Sequence, residues 1–444
     1  MKNEIKLSDH FTTGRLLRFA LPSIVMMVFT SIYGVVDGFF VSNFAGKTAL
    51  AAVNLIYPFV MMLSTLGFMF GAGGSALVAK TLGEGDRARA NRLFSLFVYA
   101  SAISGAVIAA VGILVARPVA SLLGAEGALL EDCVTYGRIL LAAIPAFMLQ
   151  LEFQIFFVTA ERPKLGLYFT VGAGVTNMVL DLLLVGILHT GLVGAAAATA
   201  LSQVVGGIGP LVYFLRKNPS LLRIGKTKLD IPAIAKAMWN GSSELMSNVS
   251  MSLVSMLYNA QLMAYAGEDG VAAYGVMMYV NFVFISAFIG YTIGLSPLVG
   301  FHFGAGGREE LHNLKKRSLL IVFTTSAAMA VSALLLARPL SLLFVGYDGG
   351  LLAMTERGFL LYAASYLFAG YCILGSSFFT ALNNGLVSAI MSFLRTLVFQ
   401  VLAVMLLPLW LGLDGIWLSI VVAEAAAASV TALLFALFKK RYGY

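Results

Sequence analysis

The stretch LLRFALPSIVMMVFTSIYGVVDGFFV, Leu16 to Val41, decides the class of fold. It exceeds the roughly 20 apolar residues that a helix needs to cross a bilayer core, yet it holds one carboxylate, Asp37, near its far end. A short polar, basic segment precedes it. The apolar run is too long for the h-region of a secretory signal, and no small-residue cleavage site closes it. The expectation is a retained first span with an acid inside.

Similar runs recur throughout the chain. Its 444 residues are 60% hydrophobic and 11% charged, with a mean hydropathy of +0.91, whereas soluble domains carry about 25% charged residues. Twelve spans are expected, near 15–42, 50–80, 94–116, 134–160, 165–188, 192–215, 233–264, 271–301, 318–337, 353–382, 387–411 and 414–438. Of the 29 Lys and Arg residues, 23 fall at the N-terminus (Lys2 among them), in the loops after even-numbered spans and at the C-terminus. The positive-inside rule then puts both termini in the cytoplasm of a multi-pass protein of the cytoplasmic (plasma or inner) membrane. The net charge of +8 thus reports topology, and no nucleic-acid partner is expected. Cys133 and Cys372 lie far apart without metal-ligand spacing, which argues against a disulfide framework or a zinc site and for two small buried hydrophobes.

One half of the chain repeats the other at an offset of 221 residues. VAKTLGEGDR from Val78 falls on VGFHFGAGGR from Val299, keeping both loop glycines and the arginine. ARP at Ala116 falls on ARP at Ala337, FVTA at Phe157 on FFTA at Phe378, and Gly46 on Gly267. Six spans per half is an even number, so both halves enter the membrane in the same sense, and such parallel repeats place substrate sites near their interface. The expected fold is an all-α polytopic membrane protein of 12 transmembrane helices in two six-helix parallel repeats. Residues 1–218 form the N-lobe and 233–444 the C-lobe, with a basic linker over 219–232.

Five acids lie inside spans: Asp37, Glu152, Asp181, Glu244 and Glu424. An ionisable group there is costly, so function is the default hypothesis. Counting about 1.5 Å per residue from the outer helix ends puts Asp37, Asp181 and Thr199 at one depth, about 8–11 Å in. Asn177 and Gln203 stand one turn below Asp181 and Thr199 on the same helix faces. Two carboxylates, an amide and a hydroxyl suit a hard monovalent cation such as Na+. Two neighbouring acids also cannot both ionise cheaply, so one can carry a proton. The competing reading is polar residues that merely bond neighbouring helices. The second half lacks the set, with Tyr258 at the position of Asp37 and Leu402 at that of Asp181.

Other signals point to packing. GAGGSA from Gly71 has no preceding strand and no GK[ST], so close helix contact explains it better than a phosphate loop. His189, His302 and His312 read as solvated residues of loops and span ends. Methionine pairs such as Met61-Met62 suit an adaptable cavity wall or lipid-facing packing equally. Pro22 lacks a backbone donor and is expected to bend span 1.

The paired halves, ALPSI and YGVVDGFF in span 1, AAVNLIYP in span 2, TNMVLDLLLV in span 5 and GLVGAAAATALSQ in span 6 resemble the MATE multidrug exporters over nearly the entire chain. The resemblance implies a MATE-like fold and export of drugs or organic cations in exchange for H+ or Na+. It puts the family's cation-coupling site on Asp37, Asn177, Asp181 and Thr199, with Tyr33, Gln203 and Glu244 as accessory candidates. No cofactor, enzymatic activity or resident metal beyond that Na+ is expected, and the protein is read as a monomer in the bilayer. The rival is a lipid-linked oligosaccharide flippase of related architecture. Its pyrophosphate-bearing substrate needs several cavity Arg or Lys, but only Arg395 sits well inside a span.

Overall fold

A computed structural model describes residues 5–45 and 47–444, and Lys2 and Gly46 lie outside the described residues. Regular structure among these residues is entirely helical. The first half contains spans Thr13–Phe40, Ala51–Gly83, Arg87–Leu122, Gly127–Thr159, Pro163–Ile187 and Gly191–Leu215, spans 1 to 6. The second half opens with Ser242–Gly304, which holds spans 7 and 8. Gly267 separates them with φ 64° and ψ −151°, a combination essentially reserved for glycine. Arg308–Val345, Gly349–Ala381, Gly385–Leu411 and Leu413–Tyr442 are spans 9 to 12.

The helices overrun the apolar stretches because their polar ends are capped. The Asp86 carboxylate accepts from the Arg89 amide at 2.8 Å, and that of Asp348 from Gly350 at 2.8 Å and Leu351 at 3.1 Å. Span 7 differs from expectation. Residues 233–240 belong to a separate short helix, Ile231–Asn240, capped by Asp230, and the span starts at Ser242. Gly241 breaks the helix where its backbone lies directly on that of Met69, leaving no room for a Cβ.

Within each half the spans pack as a bundle. Span 4 is the core of the first, with 83% of its apolar window buried against 22% for span 3. The halves meet tightly at the end that carries both termini. Gly83 of span 2 lies on the backbone of Phe301, and Gly304 of span 8 on that of Lys80. These contacts exchange under the 221-residue offset, as a pseudo-two-fold axis requires. Gly290 on Ile24 and Gly294 on Ala20 continue the seam, and Asn383 Nδ2 donates to the Ala76 carbonyl at 3.1 Å. Farther along span 1, Ser31 Oγ reaches the Phe282 carbonyl at 3.5 Å.

The segment between the halves is pinned rather than loose. The Arg223 amide donates to Asn91 Oδ1 at 2.6 Å, the Gly225 amide to Ser95 Oγ at 2.9 Å and Thr227 Oγ1 to the Arg92 carbonyl at 2.9 Å. Replacing Gly83 or Gly304 by Val forces the seam apart. Each change is expected to destabilise the purified protein by about 1–3 kcal/mol, the usual cost of overpacking. The readout is the thermal unfolding midpoint in detergent, and unchanged midpoints for both variants contradict the crossing.

Candidate functional site

Three helices bring polar side chains together near the end of the first half opposite the seam. Span 1 carries Asp37, which is half-buried. Span 5 carries Asn177 (1% exposed) and Asp181 (0% exposed), one turn apart on one face. Its α-helix ends at Leu180, and a π-helical segment, Asp181–Ile187, begins at the acid itself. A second π segment, Val41–Ala45, follows span 1. Such segments are rare and recur at functional sites. Span 6 supplies Thr199, with Gln203 buried one turn below.

Thr199 Oγ1 donates to Asp37 Oδ1 at 3.4 Å, and Asn177 Nδ2 donates to Thr199 Oγ1 at 3.5 Å. Asp37 also interacts with the side chains of Asp181 and Asn177. Neither Asp181 oxygen, however, meets hydrogen-bond geometry with any group, and Asn177 Oδ1 and Gln203 Oε1 are likewise buried without a partner. Asp37, Asp181 and Thr199, which depth counting put on one level, therefore do converge with Asn177 one turn below. They present oxygens in an apolar setting with too few donors to satisfy them.

Aromatic residues border the site. Tyr33, Tyr57 and Tyr136 lie within electrostatic reach of Asp37. Tyr33 packs 6.0 Å from Phe29, and both rings cover Gly174. Sequence reasoning singled out Tyr33 but missed Tyr57 and Tyr136. A tyrosine in an apolar span carries no mark of its own, although Tyr57 does end the stretch AAVNLIYP.

The other candidates lie elsewhere. Pro22 sits fifteen positions before Asp37, in a span 1 helix that runs unbroken from Thr13 to Phe40. Glu244 occupies the first turn of span 7, where the helix dipole favours an acid. Glu152 of span 4 is 0% exposed, and its oxygens have no geometric partner. Arg395 and Glu424 form an ion pair inside the second half, with Nη2 to Oε1 at 2.9 Å. His302 corrects the reading of a solvated histidine: it is 8% exposed. The N-terminal segment folds over the end of span 8, anchored by the Leu7 amide on Glu161 Oε1 at 2.6 Å and the Phe11 amide on Glu310 Oε1 at 2.9 Å.

Two ionised carboxylates here repel one another, and one proton or one monovalent cation between them removes the repulsion. The unpartnered oxygens of Asp181 and Asn177 fit a hard, oxygen-seeking cation such as Na+. No cluster of three or more His, Cys, Asp or Glu side chains suited to a metal occurs among the described residues. Asp181→Asn removes an uncompensated buried charge. It is expected to raise stability in sodium-free alkaline buffer by roughly 1–3 kcal/mol, the desolvation cost of an unsatisfied buried group. Thermal unfolding measures this, and a less stable Asp181→Asn protein contradicts the geometry.

Comparison with known proteins adds the family context. The sequence model of the MatE family matches residues 22–183 and 245–406, once in each half. The multidrug export protein MepA of Staphylococcus saprophyticus is 25% identical over 436 residues, covering 96% of this chain and 94% of that protein. MepA of Staphylococcus aureus is 22% identical, with coverage of 96% and 94%. Among solved structures, the outward-facing conformation of a multidrug resistance MATE family transporter superposes with a TM-score of 0.92 at 24% identity, covering 99% of both chains. A transporter of the MOP superfamily from Pyrococcus furiosus, described as having a binding pocket of reverse polarity, gives 0.91 at 23% identity, with coverage of 99% and 98%.

Proposed function

The chain belongs to the MATE (MatE) family, and we propose that it is a secondary active exporter of drugs and organic cations, driven by H+ or Na+ through alternating access. The observation that carries this reading is the convergence of Asp37 and Asp181 with Asn177 and Thr199, where oxygens outnumber the donors that could satisfy them. The lobes are residues 1–218 and 233–444, joined by 219–232, and the basic end faces the cytoplasm. The tight seam then closes the cytoplasmic side, and the site opens outward.

A cation entering from outside cancels one of the two negative charges, and the less negative site releases a cationic drug from the cavity. Ion binding shifts the conformational balance only if one state binds the ion better. Span 1 is the natural mover. It carries Asp37, touches the other half through Ser31, and lacks at Pro22 the amide that would bond the Arg18 carbonyl.

The flippase alternative fares worse. Arg395, the single basic residue well inside a span, is already neutralised by Glu424, so no cationic wall remains for a pyrophosphate. The similarity to multidrug export proteins over nearly the entire chain supports the same preference. Cysteines in place of exposed Asp269 and Lys226 check orientation. Asp269→Cys is expected to label in intact cells and Lys226→Cys only after permeabilisation, and labelling of the latter in intact cells reverses the topology.

Asp37→Asn is expected to abolish drug export at normal expression, and Asp181→Asn to weaken it. Because the two acids share one ion, the double variant should resemble the worse single one rather than add their losses. Transport measured across this cycle at several pH and sodium values decides it. Full resistance in Asp37→Asn, or additive losses, removes the single-site mechanism.

A further inference from the structure

The second half has an ionic site of its own, built differently. Arg395 Nε donates to both Glu424 oxygens at 3.0 Å, and Nη2 lies 2.9 Å from Oε1. The side chains are 19% and 5% exposed. Under the 221-residue offset, Arg395 corresponds to Gly174 and Glu424 to Gln203. Gly174 lies one helical turn from Asn177, and Gln203 one turn from Thr199, so the ion pair occupies the repeat-related counterpart of the floor of the first half's site. The backbone adjusts here too, since Arg395 lies in a π-helical segment, Leu394–Val398.

The two floors are complementary opposites. In the first half an added Cβ at Gly174 would meet the rings of Phe29 and Tyr33, and Gln203 Oε1 is left without a partner. Two acids then stand in that interior with no base. In the second half the positions of Asp37, Asn177, Asp181 and Thr199 are taken by Tyr258, Val398, Leu402 and Ile420. The Tyr258 hydroxyl donates to Gln400 Oε1 at 3.0 Å, and its ring stacks on Tyr274 at 5.3 Å. Glu424 is the one acid there. Among the described residues, the titratable groups facing the pair are Tyr258 from span 7 and Cys372 and Tyr362 from span 10, with no further carboxylate.

We propose that the guanidinium of Arg395 is a tethered cation. It fills in the second half the place that an exchangeable monovalent cation takes in the first, and so keeps Glu424 from becoming a second coupling site. The inference rests on the coupling role proposed for Asp37 and Asp181. Its mechanical consequence is that the second half keeps a constant internal charge through the cycle, while the first half alone gains and loses a cation. Removing one partner of a buried ion pair leaves the other uncompensated, so Glu424 without Arg395 must recruit a cation from solution.

The test uses the full chain in nanodiscs, in an Asp37→Asn/Asp181→Asn background that removes the first site. Radioactive sodium at fixed pH and proton uptake in sodium-free buffer are the two arms, separating Na+ from H+. Arg395→Met in this background is expected to gain a single cation equivalent in one arm. Arg395→Lys should gain none, and Arg395→Met/Glu424→Gln should lose the gain. No gain in Arg395→Met, or a gain that survives Glu424→Gln, overturns the proposal. If Arg395→Met unfolds, sodium or acid should restore it, while the neutral double variant stays folded without either. Failure of both cations to restore it also overturns the proposal. Because the background lacks both acids of the first half, these outcomes are separate from the effect of Asp37→Asn on export, which tests the first site alone.

Discussion

Two carboxylates facing one another in an apolar bundle set the terms for the rest of this molecule. Asp37 and Asp181 interact, yet Asp181 finds no hydrogen-bond partner. A bundle that only needed polar contacts between helices would satisfy those oxygens, because an unpaired buried polar group is expensive and an unpaired buried charge more so. In the proposed cycle an exchangeable cation supplies the partner that these oxygens lack. Aromatic side chains border the site: Tyr33, Tyr57 and Tyr136 lie near the acids, and the Phe29 and Tyr33 rings cover the helix face at Gly174.

The internal repeat gives this site a scaffold and a contrast. Reciprocal glycine contacts, Gly83 on Phe301 and Gly304 on Lys80, let two equivalent helices cross at backbone distance. A symmetric crossing of this kind can act as a pivot, because both halves contribute the same surface. The charges are not symmetric. One half leaves its acids open, and the other answers Glu424 with Arg395. The repeat supplies the frame, and the two halves differ in the charges they bury at a few corresponding positions.

Much of the frame was legible in the sequence because membrane helices obey few rules. Apolar run length marks spans, basic loops mark one face, and a constant offset exposes the repeat. The convergence of these side chains was legible for a related reason. Asp37, Asp181 and Thr199 lie near the same ends of their helices, so counting residues fixes their depth, and Asn177 follows from the helical turn. What escaped depends on contacts between helices or on backbone register. The π segments at Asp181 and Leu394 leave no signature in composition. Tyr57 and Tyr136 look like ordinary interior aromatics until spans 2 and 4 are placed beside span 1. Arg395 and Glu424 were each visible as in-span charges, but their pairing required knowing how spans 11 and 12 face. The break at Gly241 and the burial of His302 likewise arise from neighbours, Met69 and the N-terminal segment, that are remote in sequence.

The central claim is that an inward cation gradient, acting at the Asp37 and Asp181 site, drives drug outward. The most direct measurement is drug transport in everted membrane vesicles with the proton gradient and the sodium gradient imposed one at a time. The account predicts that at least one gradient alone drives accumulation, and that collapsing that gradient stops it. Undiminished drug accumulation with both gradients abolished contradicts it.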